Sequence, residues 1–367
     1  MSLRHQLASG EGRVKYGADL EVRLDHARNP YGPCPAALEA VEACLESSSG
    51  NMASELRRRL SETYAVPVKS IRLLGSVDGG LEVVRQREVG TFVGFPPSTL
   101  ATRVAECGST SETVFIARGL GGNGSVGLES AADLPETAIA LIDSPSDPLG
   151  SILSTTDAVR LARACRYVVI DERYAEFSGF SMLPLAVEFD NVVVLRSFEA
   201  WAGFQHPTCA WAVASPRAAA ELHLEDAVLE PESIAAALAT LDNLASVGAT
   251  LKLIREERSR LFRLLRKLSF LEPVPSWGPF LAARVQLVSR DDVVVGLLAR
   301  TVRVHAPTES GLERYIRIGI GSRSAMDRLR SALYDLAPEL VCGTVSPRAI
   351  PLGSRHAGPQ RADRDRD

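Results

Sequence analysis

The chain has 367 residues, of which 46% are hydrophobic and 23% charged, enough to bury a sizeable core in one large or two coupled domains. A formal net charge of −4 gives no reason to expect nucleic acid or an anionic membrane as a partner. No apolar run reaches the roughly 20 residues that cross a bilayer, and the opening "MSLRHQLASGEGR" lacks the apolar core of a signal peptide, so a cytoplasmic protein is the expectation.

In chain order, the Pro/Gly cluster of "RNPYGPCP" marks a loop before the helix "AALEAVEACLES", and "SELRRRLSETYAV" predicts a second helix with Ser54 as its N-cap. Short β-rich runs then alternate with helical stretches: "GTFVGF", "TVFIAR", "TAIALID", "YVVIDE", "NVVVLRS" and "CAWAVAS", with the helix "TTDAVRLARACR" between two of them. Near-continuous apolar strands separated by helices predict a mostly parallel sheet covered on both faces. From about Glu230 a long helical region, "ESIAAALATLDNLASVGATLKLIREERSRLFRLLRKL", leads to the strands "GPFLAARVQLV", "RTVRVHAP" and "YIRIGIG" and a closing helix "AMDRLRSALYDLA". This reads as a smaller α+β domain. The expected division is an N-terminal arm (1–45) joining the small domain, a large α/β domain (46–230), a small α+β domain (231–342) and a disordered tail (343–367). Six scattered cysteines without a CxxC pair predict buried thiols and no structural metal. "GLGGNG" at 119–124 fits GxGxxG but opens into no clear helix, so it reads as a loop rather than a dinucleotide fingerprint.

Four segments in order resemble the fold-type I aminotransferases that use pyridoxal 5′-phosphate (PLP), closest to histidinol-phosphate aminotransferases and threonine-phosphate decarboxylases. "NPYGPCPAALEAV" is similar to the family's "ENPYGPPP", "SPSDPLG" sits where the family has "NPNNPTG", and "VVIDERYAEFSG" follows "VVIDEAYAEF". "RIGIG" at Arg317 resembles the segment whose arginine grips the substrate carboxylate. The resemblance implies that Asp171 matches the aspartate facing the pyridine nitrogen. Tyr174 then matches the tyrosine on the ring hydroxyl, Asp147 replaces the asparagine that shares it, and Asp78 belongs to the phosphate loop after Ser76. Arg317, Asn29 and Tyr31 would frame the substrate.

The family's "LRTFSKAYGLAGLRIGY" aligns without a gap to "LRSFEAWAGFQHPTCAW", which puts Glu199 at the phosphate-binding serine, Ala200 at the Schiff-base lysine and Thr208 at the phosphate-binding arginine. Lys15, Lys69, Lys252 and Lys267, the only four lysines, fall away from this junction. Ser98 and Ala101 stand where a ring-stacking aromatic is expected, and the tyrosine of the neighbouring subunit is replaced around Ser48. No covalently held cofactor and no tight PLP binding are therefore expected, because PLP enzymes need the lysine both as anchor and as proton shuttle.

Freed of a pyridinium partner, Asp171, Asp147 and Glu199 are expected close together, raising at least one pKa or inviting a cationic ligand, and are the candidates for acid–base work. Glu199 reads first as a solvated carboxylate favoured at a helix start, ahead of a general base. His206 is six residues from the lysine's position, and Trp201 reads as a packing residue that could also fill vacated space. Three functions stay open: a pseudoenzyme acting as a binding or partner subunit, a PLP-independent enzyme on an amino-acid-like or carboxylate ligand, and an aminotransferase with non-covalent PLP. The resemblance implies a homodimer; for the partner-subunit reading, a heterodimer with an intact aminotransferase is the alternative.

Overall fold

The computed structural model describes residues 21–44, 51–88, 90–105, 112–118, 134–204, 206 and 208–342. "GLGGNG", Ser48, Lys15 and the tail 343–367 lie outside them. After a short strand β1 (Val22–Leu24), seven strands build the main sheet. They are β2 (Ile71–Leu74), β3 (Thr91–Gly94), β4 (Glu112–Phe115), β5 (Ile139–Asp143), β6 (Tyr167–Asp171), β7 (Val192–Ser197) and β8 (Ala210–Val213). Their order is β2-β8-β7-β6-β5-β3-β4, parallel except for β8, which runs antiparallel to both neighbours.

The helices interleaved with these strands are α1 (Pro35–Cys44), α2 (Met52–Tyr64), α3 (Val77–Arg87), α4 (Thr99–Ala105), α5 (Thr155–Ala164), α6 (Ala175–Ser178), α7 (Leu183–Glu188), α8 (Glu199–Ala202) and α9 (Pro216–Glu221). Side chains of a strand alternate between faces, and here both faces are covered. Val168, Ile170, Val192 and Val194 join the cluster that holds Leu56 and Leu60 of α2. Val169, Val193 and Leu195 join the cluster that holds Leu81 and Val84 of α3. That is why β6 and β7 read as unbroken apolar runs rather than as alternating patterns.

Four helix starts share one device. Ser76, Ser154, Ser215 and Ser289 each accept a hydrogen bond from the backbone N–H three residues on, satisfying one orphan donor of the first turn. Ser54 does not act this way: α2 begins at Met52 behind Asn51, so Ser54 already lies inside the helix.

The predicted long helix is two, α10 (Pro231–Asp242) and α11 (Leu244–Leu265), bent by 81° at Asn243. At that bend the Asn243 side chain donates to the Ala239 carbonyl, and α10 packs on α1 and α2. A three-stranded antiparallel sheet follows, β12-β10-β9, from β9 (Leu271–Pro273), β10 (Phe280–Val285) and, after α12 (Arg290–Leu298) and β11 (Val302–Val304), β12 (Tyr315–Gly319). Helix α12 is absent from the sequence reading because "VVV" hides its period. The closing helix is α13 (Arg323–Cys342), and β11 pairs in parallel with β1. No single helix among the described residues is long and apolar enough to cross a membrane.

Two glycines set the approach of the small sheet and the N-terminal segment to the main sheet. Gly203 ends α8 at φ +82°, where a Cβ would sit 2.5 Å from the Gly32 carbonyl carbon. Gly150, at φ +75°, accepts a hydrogen bond from Trp277 N, and a Cβ there would collide with Ser276. Only glycine adopts such a backbone without penalty at such close range.

Candidate functional site

Parallel strands deliver their last residues to one edge, and ligands of open α/β sheets bind there. Asp143 ends β5 and Asp171 ends β6, register partners across the sheet. Below them a half-open cavity is lined by Thr99, Arg103, Pro145, Asp147, Arg173 and Tyr174 among others.

Each carboxylate of this cavity has a guanidinium of its own. Asp171, almost fully buried, receives Arg173 Nε at 2.8 and 3.1 Å and the Arg173 backbone N–H at 3.0 Å. Arg173 Nη2 also donates to Asp78 at 2.5 Å, and Arg103 Nη1 donates to the same oxygen at 2.5 Å. Burial works against the charge on Arg173, but Asp171 and Asp78 together outweigh it and hold its pKa well above the ordinary value. Burial likewise pushes Asp78 up, yet Arg173 and Arg103 prevail and its pKa is lowered.

Asp143 takes Arg118 Nη1 at 2.8 Å, while Arg118 Nη2 donates to the Asp143 carbonyl at 2.8 Å and the Asp147 N–H to its second carboxyl oxygen at 2.9 Å. Complete burial nevertheless raises Asp143 to about 6, with Arg118 opposing. Asp147 lies 2.7 and 2.9 Å from Arg317 Nη1 and 3.3 Å from the Tyr174 hydroxyl, which donates to it. Burial first, and then Asp147, push the Tyr174 pKa up, so the phenol keeps its proton.

Asp171, Asp147, Tyr174 and Arg317 are thus brought together, but not as bare charges. Arg173 pairs with Asp171 and Arg317 with Asp147, so two of the three expected carboxylates have a cation each. Glu199 is the exception. Its Oε1 is buried without a hydrogen-bond partner, and its pKa is raised by burial, with Arg173 opposing and Asp78 and Asp171 reinforcing. His206 is exposed.

Other expected residues sit elsewhere. Ala200 is buried in α8, and its carbonyl accepts a hydrogen bond from the Asn29 N–H at 2.8 Å. Asn29 Nδ2 donates to the Trp201 carbonyl at 3.0 Å, so Asn29 ties the N-terminal loop to α8. Tyr31 is exposed, and its charged surroundings are Glu257 and Arg323 rather than the cavity. Trp201 is a core residue whose Nε1 donates to the Ser197 carbonyl. Ser98 caps α4 through the Ala101 N–H, and Thr99 and Leu100, not Ser98 and Ala101, reach the cavity. Thr208 lines a separate cavity with Ser76, Gly79 and His223 at the start of α3. Lys69 lies in a short 3₁₀ turn, Lys252 on α11 and Lys267 just past it. Sequence reading missed Arg173, Arg103, Arg118 and Asp143. Arg173 was visible as the one departure inside "VVIDERYAEF" from the family's "VVIDEAYAEF".

The family profile described as aminotransferase class I and II matches residues 125–333, more than half of the chain. The chain belongs to the class I and II aminotransferases. A histidinol-phosphate aminotransferase of Archaeoglobus fulgidus is 29% identical over 332 residues, covering 86% of this chain and 93% of the relative. Among solved structures, the histidinol-phosphate aminotransferase of Sinorhizobium meliloti in complex with pyridoxal-5′-phosphate is 20% identical with a TM-score of 0.78, covering 88% of this chain and 92% of that one. The L-threonine-O-3-phosphate decarboxylase of Porphyromonas gingivalis is 17% identical with a TM-score of 0.71, covering 86% and 98%. The fold is that of the fold-type I aminotransferases. These findings overturn the expectation of a chain with no covalently held cofactor and little claim on PLP: the family is one whose members bind PLP, and one neighbour of the same fold holds it.

Proposed function

We propose that this aminotransferase serves as a binding or partner subunit, one that presents the family's cleft without transaminating on its own. The observation that supports this reading is Ala200. The first turn of α8, where the resemblance expects an amine, offers a buried methyl group, and Lys69, Lys252 and Lys267 lie on other elements. PLP is the cofactor of this reading, and the residues at the strand ends fit its ring. Asp171 would face the ring nitrogen, with Arg173 giving up part of its hold. Tyr174, protonated, would donate to the ring hydroxyl, and Thr99 and Leu100 wall the cavity. Once bound, PLP supplies an electron sink for amino-acid chemistry; this chain's part is to orient it and to exclude water. A homodimer follows the relatives' pattern, with an intact aminotransferase as the other candidate partner.

The test is titration with PLP read by absorbance and by intact mass after borohydride, followed by an amino-transfer assay with L-glutamate and 2-oxo acids. A saturable absorbance change without turnover is expected. Turnover by the purified protein alone would sink the subunit reading, and so would a flat titration together with no partner.

One observation favours a second reading. Glu199, with a raised pKa and an unpaired buried oxygen, is equipped to take up a proton near the cavity. Turnover without PLP that Glu199→Gln abolishes would establish it; no such turnover in the wild type would remove it.

A further inference from the structure

Asp147 and Arg317 reach each other from opposite sides of the cleft, one from the loop after β5 in the main sheet, the other from the middle of β12. The outward nitrogens of Arg317 are both engaged: Nη1 with the two Asp147 oxygens at 2.9 and 2.7 Å, and Nη2 with the Asp25 carbonyl at 2.7 Å. Its remaining Nε is buried without a partner, and the Phe280 ring lies 5.3 Å from the guanidinium carbon. Asp147 is itself held in place. Its N–H donates to Asp143, its carbonyl accepts from Thr99 N at 2.8 Å, and Pro148 follows it.

A carboxylate arriving at Arg317 would therefore have to displace Asp147 and leave a second, poorly solvated negative charge beside the same guanidinium. Two carboxylates competing for one cation disfavour each other, and a displaced carboxylate in a sheltered cleft loses its compensation. An asparagine at this place would offer a donor instead of competing; an ionised aspartate offers acceptors only.

We infer that Asp147 is a built-in occupant of Arg317 and a specificity-determining residue: it turns the cleft against ligands that present a carboxylate to this arginine and toward ligands whose corresponding end is neutral or cationic. The inference does not rest on the subunit reading, since it concerns the Arg317 end of the cleft and holds whether or not the chain transaminates.

Glutarate is a suitable carboxylate probe, titrated calorimetrically with and without saturating PLP into the wild type, Asp147→Asn, and Asp147→Asn combined with Arg317→Met. The wild type should show no saturable binding at millimolar glutarate. Asp147→Asn should bind at least about tenfold more tightly, since the competing occupant is gone, and the double variant should lose that gain. Wild-type binding as tight as that of Asp147→Asn would overturn the inference, as would a folded Asp147→Asn without gain. Should Asp147→Asn fail to fold, crystals of the wild type soaked in glutarate decide: Asp147 still on Arg317 supports the inference, and glutarate in its place overturns it.

Discussion

Arg173 shows how one residue can change a site whose frame is retained. Asp171 stands at the end of β6, and beside it the chain has an arginine where the family segment it resembles has an alanine. Because Arg173 is two residues past Asp171, its backbone N–H and its guanidinium both close onto the same carboxylate. The motif match made Asp171 legible. The charge beside it was legible too, but its reach to Asp78 on α3 was not, since 95 residues separate them. Replacing Arg173 with alanine leaves Asp171 buried without a cation, a change expected to destabilise by about 3 kcal/mol. PLP should then raise the melting temperature of the variant more than that of the wild type, because a ring nitrogen would supply the missing partner and ligand binding to the native state adds stability. Equal shifts by differential scanning fluorimetry would show that Arg173 does not compete at Asp171.

At the scale of elements, strands were read more securely than helix ends. The apolar runs of β5 to β7 are buried on both faces, so their pattern survives any detail of packing. Four helix starts rest on one serine cap each, whereas the serine chosen from sequence caps nothing: Ser54 looks like a cap because it precedes "ELRRRL", yet Met52 and Ala53 already turn. Ser76 is the cap that bears on the site, because α3 carries Asp78 to Arg173 and Arg103. Ser76→Ala removes the acceptor for Gly79 N, at 2.9 Å, and should lower stability by about 1 kcal/mol in urea unfolding. Ser54→Ala should leave the midpoint almost unchanged. A reversed order would contradict the assignment.

For the whole molecule, buried ion pairs link parts of the chain far apart in sequence, and their balance sets a pH dependence. Glu172, fully buried, accepts hydrogen bonds from Ser181 and Met182 N and pairs with Arg196, which also reaches Glu176. Burial raises Glu172 to about 7, with Arg196 opposing. The folded protein thus keeps the Glu172 proton to higher pH than the unfolded chain does. The stabilisation is complete below the ordinary value of 4.5 and is lost as pH rises through that value toward 7. Asp143 acts in the same direction between 3.8 and about 6. Urea midpoints should therefore fall from pH 5 to pH 7 more steeply in the wild type than in Glu172→Gln. Equal slopes would mean that Glu172 does not titrate in this window.

The sequence by itself determined the alternation of strand and helix and the both-sides-buried sheet, because period and strand ends are properties of neighbouring residues, while the family resemblance pointed to Asp171, Asp147 and Tyr174. Only the tertiary structure decided which cations Asp143, Asp78 and Asp147 meet. Arg118 reaches Asp143 across 25 positions, Arg103 reaches Asp78 across 25, and Arg317 reaches Asp147 across 170. Such pairings depend on which strand ends and loops the fold brings within about 3 Å of one another, and no local pattern of residues encodes that distance.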